Sequence, residues 1–289
     1  MQNQKDFFLY TDCHAHIAQC LDDAQCLDNV HCLDGAPCLD GAQCLDDVHC
    51  LDDAQCLDGA QCLDGAQCLD TNPPLNVSKD SNGIFSLLQN ENYSVLSSCS
   101  SVSDFQAVLP LKKKYGHRVG ISFGSLAQTP SIEVCHQLES FLKNPLASSF
   151  IDCIGECGID LFTHELKSIK ALQTEIFAFQ IELAKKYEKP LVIHQRKAMQ
   201  HIFSLVPQLR NVPAVLFHGY SGTFSEAQSI LSKDVNAYFS FGKSFLRGDK
   251  KTVECLQKLP KNRIRFETDS PYQLPLEKIF DIVELCVRH

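Results

Sequence analysis

The 289-residue chain has no apolar run that approaches the length of a membrane-spanning helix, which needs roughly 18 residues, so no transmembrane segment is expected. Met1 to Tyr10 mixes Gln, Asn, Lys and Asp ahead of three apolar positions. That stretch lacks the charged start, apolar centre and small-residue cleavage site of a secretory leader, and a cytoplasmic protein is expected. Lys and Arg are absent from residues 20–70, which hold twelve Asp and contribute −12 to a chain total of −9. The remainder is therefore slightly basic, and the acidic balance excludes no class of partner, nucleic acid included. Nine of the sixteen cysteines recur every six residues in that same tract, without the paired Cys-x-x-Cys spacing of structural zinc sites. The other seven are scattered, and several, such as Cys153 and Cys157, sit in apolar surroundings as small buried thiols do. With no leader, free thiols in a reducing compartment are expected rather than a disulfide framework.

What is present begins with the tract itself, a hexapeptide array of Cys-Leu-Asp followed by a variable triplet. A six-residue period turns successive copies of a helix by about 240°, so no single face stays apolar. As a strand it would alternate sides and could stack as a short solenoid, but a poorly ordered insertion is the favoured reading. Thr71-Asn72-Pro73-Pro74 closes it. The expected division is residues 1–19 as the first strand with a metal motif, 20–74 as the insertion, and 75–289 as the rest of the same domain.

Outside the tract, short β-branched or apolar runs fall at 7–13, 93–98, 118–123, 150–156, 190–194, 213–218, 236–241 and 263–268, with helical stretches between. The clearest helix spans about Thr163 to Glu188, with Thr163 as N-cap and Leu166, Ile169, Ile176, Phe179 and Leu183 spaced as one buried stripe. Strands alternating with helices give an α/β fold with a parallel sheet, and eight strands close a TIM (β/α)8-type barrel of about 250 residues. The tract is then a long repetitive insertion after strand one, tolerated because loop closure costs entropy only slowly with length.

Five constellations stand at the C-terminal ends of these strands, where such barrels hold their chemistry. They are Asp12-Cys13-His14-Ala15-His16, Gly155-Glu156-Cys157-Gly158-Ile159-Asp160, His194-Gln195-Arg196, His218-Gly219-Tyr220-Ser221-Gly222 and Glu267-Thr268-Asp269-Ser270-Pro271. Histidines two apart on an extended segment share a face and can hold one cation. Each motif alone has bland explanations. Four histidines and two carboxylates meeting in one cavity do not.

In this order the motifs resemble the TatD family of metal-dependent deoxyribonucleases, as do Gln173, Phe177, Gln180 and Ala184 by their spacing. The resemblance covers residues 7–19 and roughly 80–275. It implies two divalent cations and removal of nucleotides from DNA. It implies His14 and His16 as ligands of one cation, Glu156 as a bridge, and His194 and His218 as ligands of the other. Asp269 would complete the first site and accept a proton from the attacking water, making Glu156 and Asp269 the catalytic pair. Arg196 would grip a phosphate or form a structural ion pair. Mixed histidine and carboxylate ligation suits Mg, Mn or Zn. Two departures stand out: Gly120-Ile121-Ser122-Phe123-Gly124 replaces the usual Gly-x-His-Pro turn after strand three, and Gly219-Tyr220 replaces the usual Cys-Phe.

Two other functions fit less well. A two-metal esterase or amidase would keep the barrel, but such sites often place a modified lysine where this chain has Glu156. The Cys/Asp tract, with His31 and His49, could bind soft metals. The expected partner is DNA or another phosphoester, with no membrane and no obligate protein partner. From Lys243 to Arg265 eight basic residues face only Asp249 and Glu254, a stretch that reads as a solvated helix face or a phosphate contact. Lys112-Lys113-Lys114 reads as a helix end.

Overall fold

In the computed structural model, residues 10–20 and 83–288 are described. The expected insertion at 20–74 lies outside them except for Cys20, which ends the short helix Ile17–Cys20. Eight parallel strands run in sequence order around one sheet: β1 (Asp12–Ala15), β2 (Val95–Cys99), β3 (Val119–Phe123), β4 (Cys153–Asp160), β5 (Leu191–Arg196), β6 (Val215–His218), β7 (Ala237–Phe241) and β8 (Ile264–Phe266). Each of the eight expected runs overlaps one of them, and β1, β2, β4 and β5 extend past the C-terminal end of their runs. Past the end of β8 the ring meets itself. The Asp269 N–H donates to the His14 carbonyl (2.9 Å), and the His16 N–H donates to the Ser270 carbonyl (2.7 Å). Among the described residues no helix is long and apolar enough to cross a membrane.

Strand alternation sorts the side chains. On β5, β6 and β7 the residues Leu191, Ile193, Val215, Phe217, Ala237 and Phe239 join the large core under the helices. Val192, Leu216 and Tyr238 instead join Cys13, Leu96, Cys153 and Ala214 in a separate cluster, which fills the barrel's interior. Two residues further along the same faces come His194, His218 and Ser240, because the strand period is two. One apolar layer thus floors a polar one.

The helices start where their caps dictate. Ser101 accepts from the Asp104 N–H at the start of Val102–Tyr115, Thr163 accepts from the Leu166 N–H as expected, and Thr223 and Glu226 form a reciprocal capping box. Lys112, in the last turn of the first of these, is more than a solvated helix end. Its ammonium pairs with Asp152 at 2.8 Å, and that carboxylate also accepts from the Ile121 N–H.

The expected helix Thr163–Glu188 is two helices, His164–Ser168 and Lys170–Lys186, separated at Ile169. Its buried face also differs from the expected stripe. Ile176 and Leu183 are buried, but Leu166, Ile169 and Phe179 are only half-buried, and Gln173, Phe177, Gln180, Ile181 and Ala184 take their places. The reason is hydrogen bonding. Gln173 accepts from the Asp160 N–H (2.8 Å) and donates to the carbonyls of Asp160 (3.1 Å) and Leu166 (2.9 Å). Gln180 accepts from the Ser125 N–H (2.9 Å) and donates to the Ser125 carbonyl (3.0 Å). Two buried amides staple the helix to the strand ends that carry the site, and both are fully satisfied enough to be buried.

Gly158 lets β4 lie against β5. Its φ is +137°, and a Cβ there would sit 2.0 Å from the His194 carbonyl oxygen. Gly158→Ala is expected to lower unfolding free energy by at least about 2 kcal/mol, since strain and overlap coincide at a buried strand. Thermal or denaturant unfolding checks this; an unchanged midpoint would refute the close-approach argument.

Candidate metal centre

Six of the predicted residues meet at the C-terminal mouth of the barrel. His14 is on β1 and His16 follows it, Glu156 is on β4, His194 on β5, His218 ends β6, and Asp269 lies just beyond β8. Both β1 and β4 shift register near these residues, between Asp12 and Ala15 and between Ile154 and Cys157. Such irregularities re-aim side chains that strict alternation would turn outward.

Glu156 is the hub. Its Oε2 lies 3.3 Å from His14 Nε2 and 3.5 Å from His16 Nε2. Its Oε1 lies 3.1 Å from both His194 Nδ1 and His218 Nε2. Asp269 Oδ1 lies 3.7 Å from His14 Nε2 and 3.5 Å from His16 Nε2. The two oxygens of one carboxylate therefore face two different histidine pairs. Among the described residues, His14–His16–Glu156, His14–His218–Asp269 and Glu156–His194–His218 each bring ligand atoms within 4.8 Å of one another.

The electrostatics are those of a cation site. Burial would raise Glu156, but the His218 charge and the close imidazoles of His14, His16 and His194 outweigh it and hold the carboxyl well below its usual range. Burial would likewise lower His218, yet Glu156 and Glu267 push it well above the usual histidine value. Burial and the neighbouring His218 charge depress His14 instead. Both His14 ring nitrogens and His218 Nδ1 are buried without a hydrogen-bond partner. Buried imidazole nitrogens with no partner are costly unless something electron-poor takes their lone pairs. The donor set, four imidazoles and two ionised carboxylates, is of the kind that divalent cations take.

A family model described as TatD related DNase matches residues 69–284. The chain belongs to the TatD family. Over 148 residues it is 30% identical to an uncharacterized metal-dependent hydrolase of Bacillus subtilis, covering 50% of this chain and 56% of that protein. Over 137 residues it is 29% identical to the 3'-5' ssDNA/RNA exonuclease TatD of Erwinia billingiae, covering 46% of this chain and 51% of that protein. The chain thus spans about half the length of the curated relatives it matches. A TatD homologue of Escherichia coli shares the fold at TM-score 0.63 and 20% identity, over 75% of this chain and 85% of that one. The family match begins beyond β1, so His14 and His16 lie outside it, and the barrel brings them to Glu156.

Around the six residues, this TatD chain carries a ring of polar groups that motif reading left without a role. Asp160 Oδ2 lies 3.0 Å from His194 Nε2. Glu267 accepts from the Gly219 N–H (2.6 Å) and the Ser240 hydroxyl (2.5 Å), and its Oε1 lies 3.6 Å from His218 Nδ1. Gln128 Nε2 lies 3.3 Å from His194 Nε2, on the loop that follows the atypical Gly120–Gly124 segment. Gln273 donates to Asp269 Oδ2 at 2.6 Å. Both acids stood inside the quoted motifs; the missing signal was that a ligating imidazole needs a partner for its second nitrogen. At the Gly219-Tyr220 departure, Tyr220 is buried against Phe239 (4.8 Å) and its hydroxyl donates to the Thr223 carbonyl.

Arg196 stands apart from the six. It is exposed at the end of β5, with its guanidinium 3.5 Å from the centroid of the Phe162 ring. Among the described residues it makes no ion pair with a carboxylate. The basic stretch from Lys243 to Arg265 does not act as one patch either. Arg247 and Lys258 pair with Asp249 and Glu254, while Arg263 and Arg265 lie over Tyr238, below the polar layer of β7.

Glu267→Gln keeps the shape but removes the charge behind His218. It is expected to weaken divalent-cation affinity about 10- to 100-fold. Titration calorimetry with Mn or Zn measures this directly, and unchanged affinity would show that Glu267 has no orienting role.

Proposed function

We propose that this TatD chain is a divalent-metal-dependent phosphodiesterase that releases nucleotides from DNA. The observation that carries the reading is Glu156, whose two oxygens each face a separate histidine pair. That arrangement suits two cations, Mg, Mn or Zn, one with His14, His16 and Asp269, the other with His194 and His218. When bound, the cations supply water that ionises near neutral pH and positive charge for the phosphate oxygens, which otherwise repel an anionic attacker.

The protein's own groups do the rest. Burial would raise Asp269, but the hydrogen bond from His16 and the charges of His14 and His218 keep its carboxyl below the usual range. It is ionised, oriented by Gln273, and able to take a proton from the attacking water. Asp160 fixes the ring of His194 and the Glu267 carboxylate stands 3.6 Å behind His218 Nδ1, so negative charge is already in place behind both rings. Arg196, exposed and without a carboxylate partner among the described residues, is placed at the rim to hold a phosphate bidentately. The name of the Erwinia billingiae relative supports a nucleic-acid substrate. The seven described cysteines are free, six of them buried, which supports residence in the reducing cytoplasm.

Purified protein with Mg or Mn is expected to release nucleotides from single-stranded or duplex DNA. EDTA should abolish the release, and Glu156→Ala and Asp269→Ala should each reduce it by orders of magnitude. Equal release by wild type and Glu156→Ala would sink the reading, and cleavage of p-nitrophenyl acetate but not DNA would favour a carboxylic esterase instead.

Deleting residues 20–70 is expected to leave nuclease activity within a few-fold of the full chain, because every residue placed in the site lies outside them. Loss of cation binding together with activity, in a deletion variant that still folds by circular dichroism, would assign the tract a direct part in the site.

A further inference from the structure

The rim beside β4 carries an aromatic ring with an unusual cover. Phe162 is 44% exposed. Single exposed apolar side chains are common and need no function. Phe162 differs in what lies on it: the Arg196 guanidinium is 3.5 Å from its centroid and the Lys197 ammonium 4.8 Å. Both cations are exposed, and neither makes an ion pair among the described residues. Asp160, two residues before Phe162, is already engaged with His194 and the Phe162 backbone.

The position is fixed as well as charged. The Phe162 N–H donates to Asp160 Oδ1 at 2.8 Å, while Asp160 Oδ2 holds His194 Nε2 at 3.0 Å. The Leu161 N–H donates to the Arg196 carbonyl at 2.8 Å, so the ends of β4 and β5 carry ring and guanidinium together. One carboxylate therefore links the shelf to the metal centre. A guanidinium stacked on a ring keeps its N–H donors in its own plane, available to an anion.

Accepting the phosphodiesterase reading on which this rests, we infer that Phe162, Arg196 and Lys197 form a nucleotide subsite. An unpaired base stacks on the Phe162–Arg196 pair, and the guanidinium edge and Lys197 hold the adjoining phosphate. Stacking accepts any base, because every base offers a π face, and it requires a base that is not already paired in a duplex. The subsite thus selects single strands without selecting sequence.

The test compares wild type, Phe162→Ala and Phe162→Tyr in the full chain with Mn. One substrate is a single-stranded oligonucleotide; the other has the same length but abasic terminal nucleotides. For the intact strand, Phe162→Ala is expected to raise KM about 10-fold with little change in kcat, while Phe162→Tyr keeps the wild-type KM. For the abasic strand, all three should have the same KM. In the wild type, a terminal 2-aminopurine should lose fluorescence on binding, and Phe162→Ala should restore it. If wild type releases no nucleotide from either strand, the phosphodiesterase reading fails and the subsite with it. If wild type cleaves the intact strand but Phe162→Ala leaves KM unchanged, or raises it equally for both strands, the subsite alone is overturned.

Discussion

The site exists because the two ends of the sheet are tied together at one buried carboxylate. Asp12 accepts the Thr268 N–H at 3.0 Å and the Thr268 hydroxyl at 2.7 Å, across 256 residues of sequence. With that seam closed, the backbones of His14 and Asp269 come into register, and the side chains beyond them face one another. β8 shares its ladder with β7 alone, so Asp269 reaches the first histidine pair through this carboxylate and the two backbone hydrogen bonds beyond it. Closing a ring this long costs little more entropy than closing a shorter one, because the penalty grows logarithmically with length. A long insertion after β1 is therefore compatible with an intact seam.

The seam creates an electrostatic problem that the rest of the site answers. Glu156 and Asp269 are buried beside one another, and two ionised carboxylates in a dry pocket repel. Four imidazoles surround them, and the partnerless nitrogens of His14 leave that ring without a protein solution to its own burial. A bound divalent cation would resolve both difficulties together. Asp160 and Glu267 stand outside the imidazoles on the β5 and β6 side, so negative charge, ring and negative charge alternate outward from Glu156. A ligand ring held this way is oriented before a cation arrives.

Much of this was legible in the sequence, for definable reasons. Strands such as Leu191–Arg196 announce themselves as short apolar runs, and their alternation carries Val192 and His194 to one face. The six ligand candidates were found because each stands at a strand end beside a turn. What escaped was non-local. Gln173 and Gln180 break an apolar stripe in one dimension, yet in three they saturate backbone groups that no neighbour in sequence could reach. The break at Ile169 followed from the same staple, since Gln173 holds the Leu166 carbonyl. Arg263 and Arg265 read as part of one basic stretch, but the helices Lys243–Leu246 and Lys250–Lys258 carry the chain from the end of β7 back to the start of β8, so the two arginines lie at the other end of the barrel from Lys243.

Chemistry and selectivity are built here from different materials. The ligand candidates sit on or next to strands, whose hydrogen-bonded ladders fix them, and a family pattern can be read from them because few other residues satisfy that geometry. The groups that would meet a substrate, Phe162, Arg196, Lys197 and Gln128, belong to strand ends and loops where many side chains are sterically acceptable. The atypical segment after β3 illustrates the division. Ser122 keeps a hydrogen bond to the Gly155 carbonyl and Gln180 holds Ser125, so the loop's base is rigid whatever its sequence, while Gln128 beyond it reaches His194. Likeness to relatives therefore informs the reacting bond far more than the molecule that carries it. Selectivity has to be read from this chain's own rim.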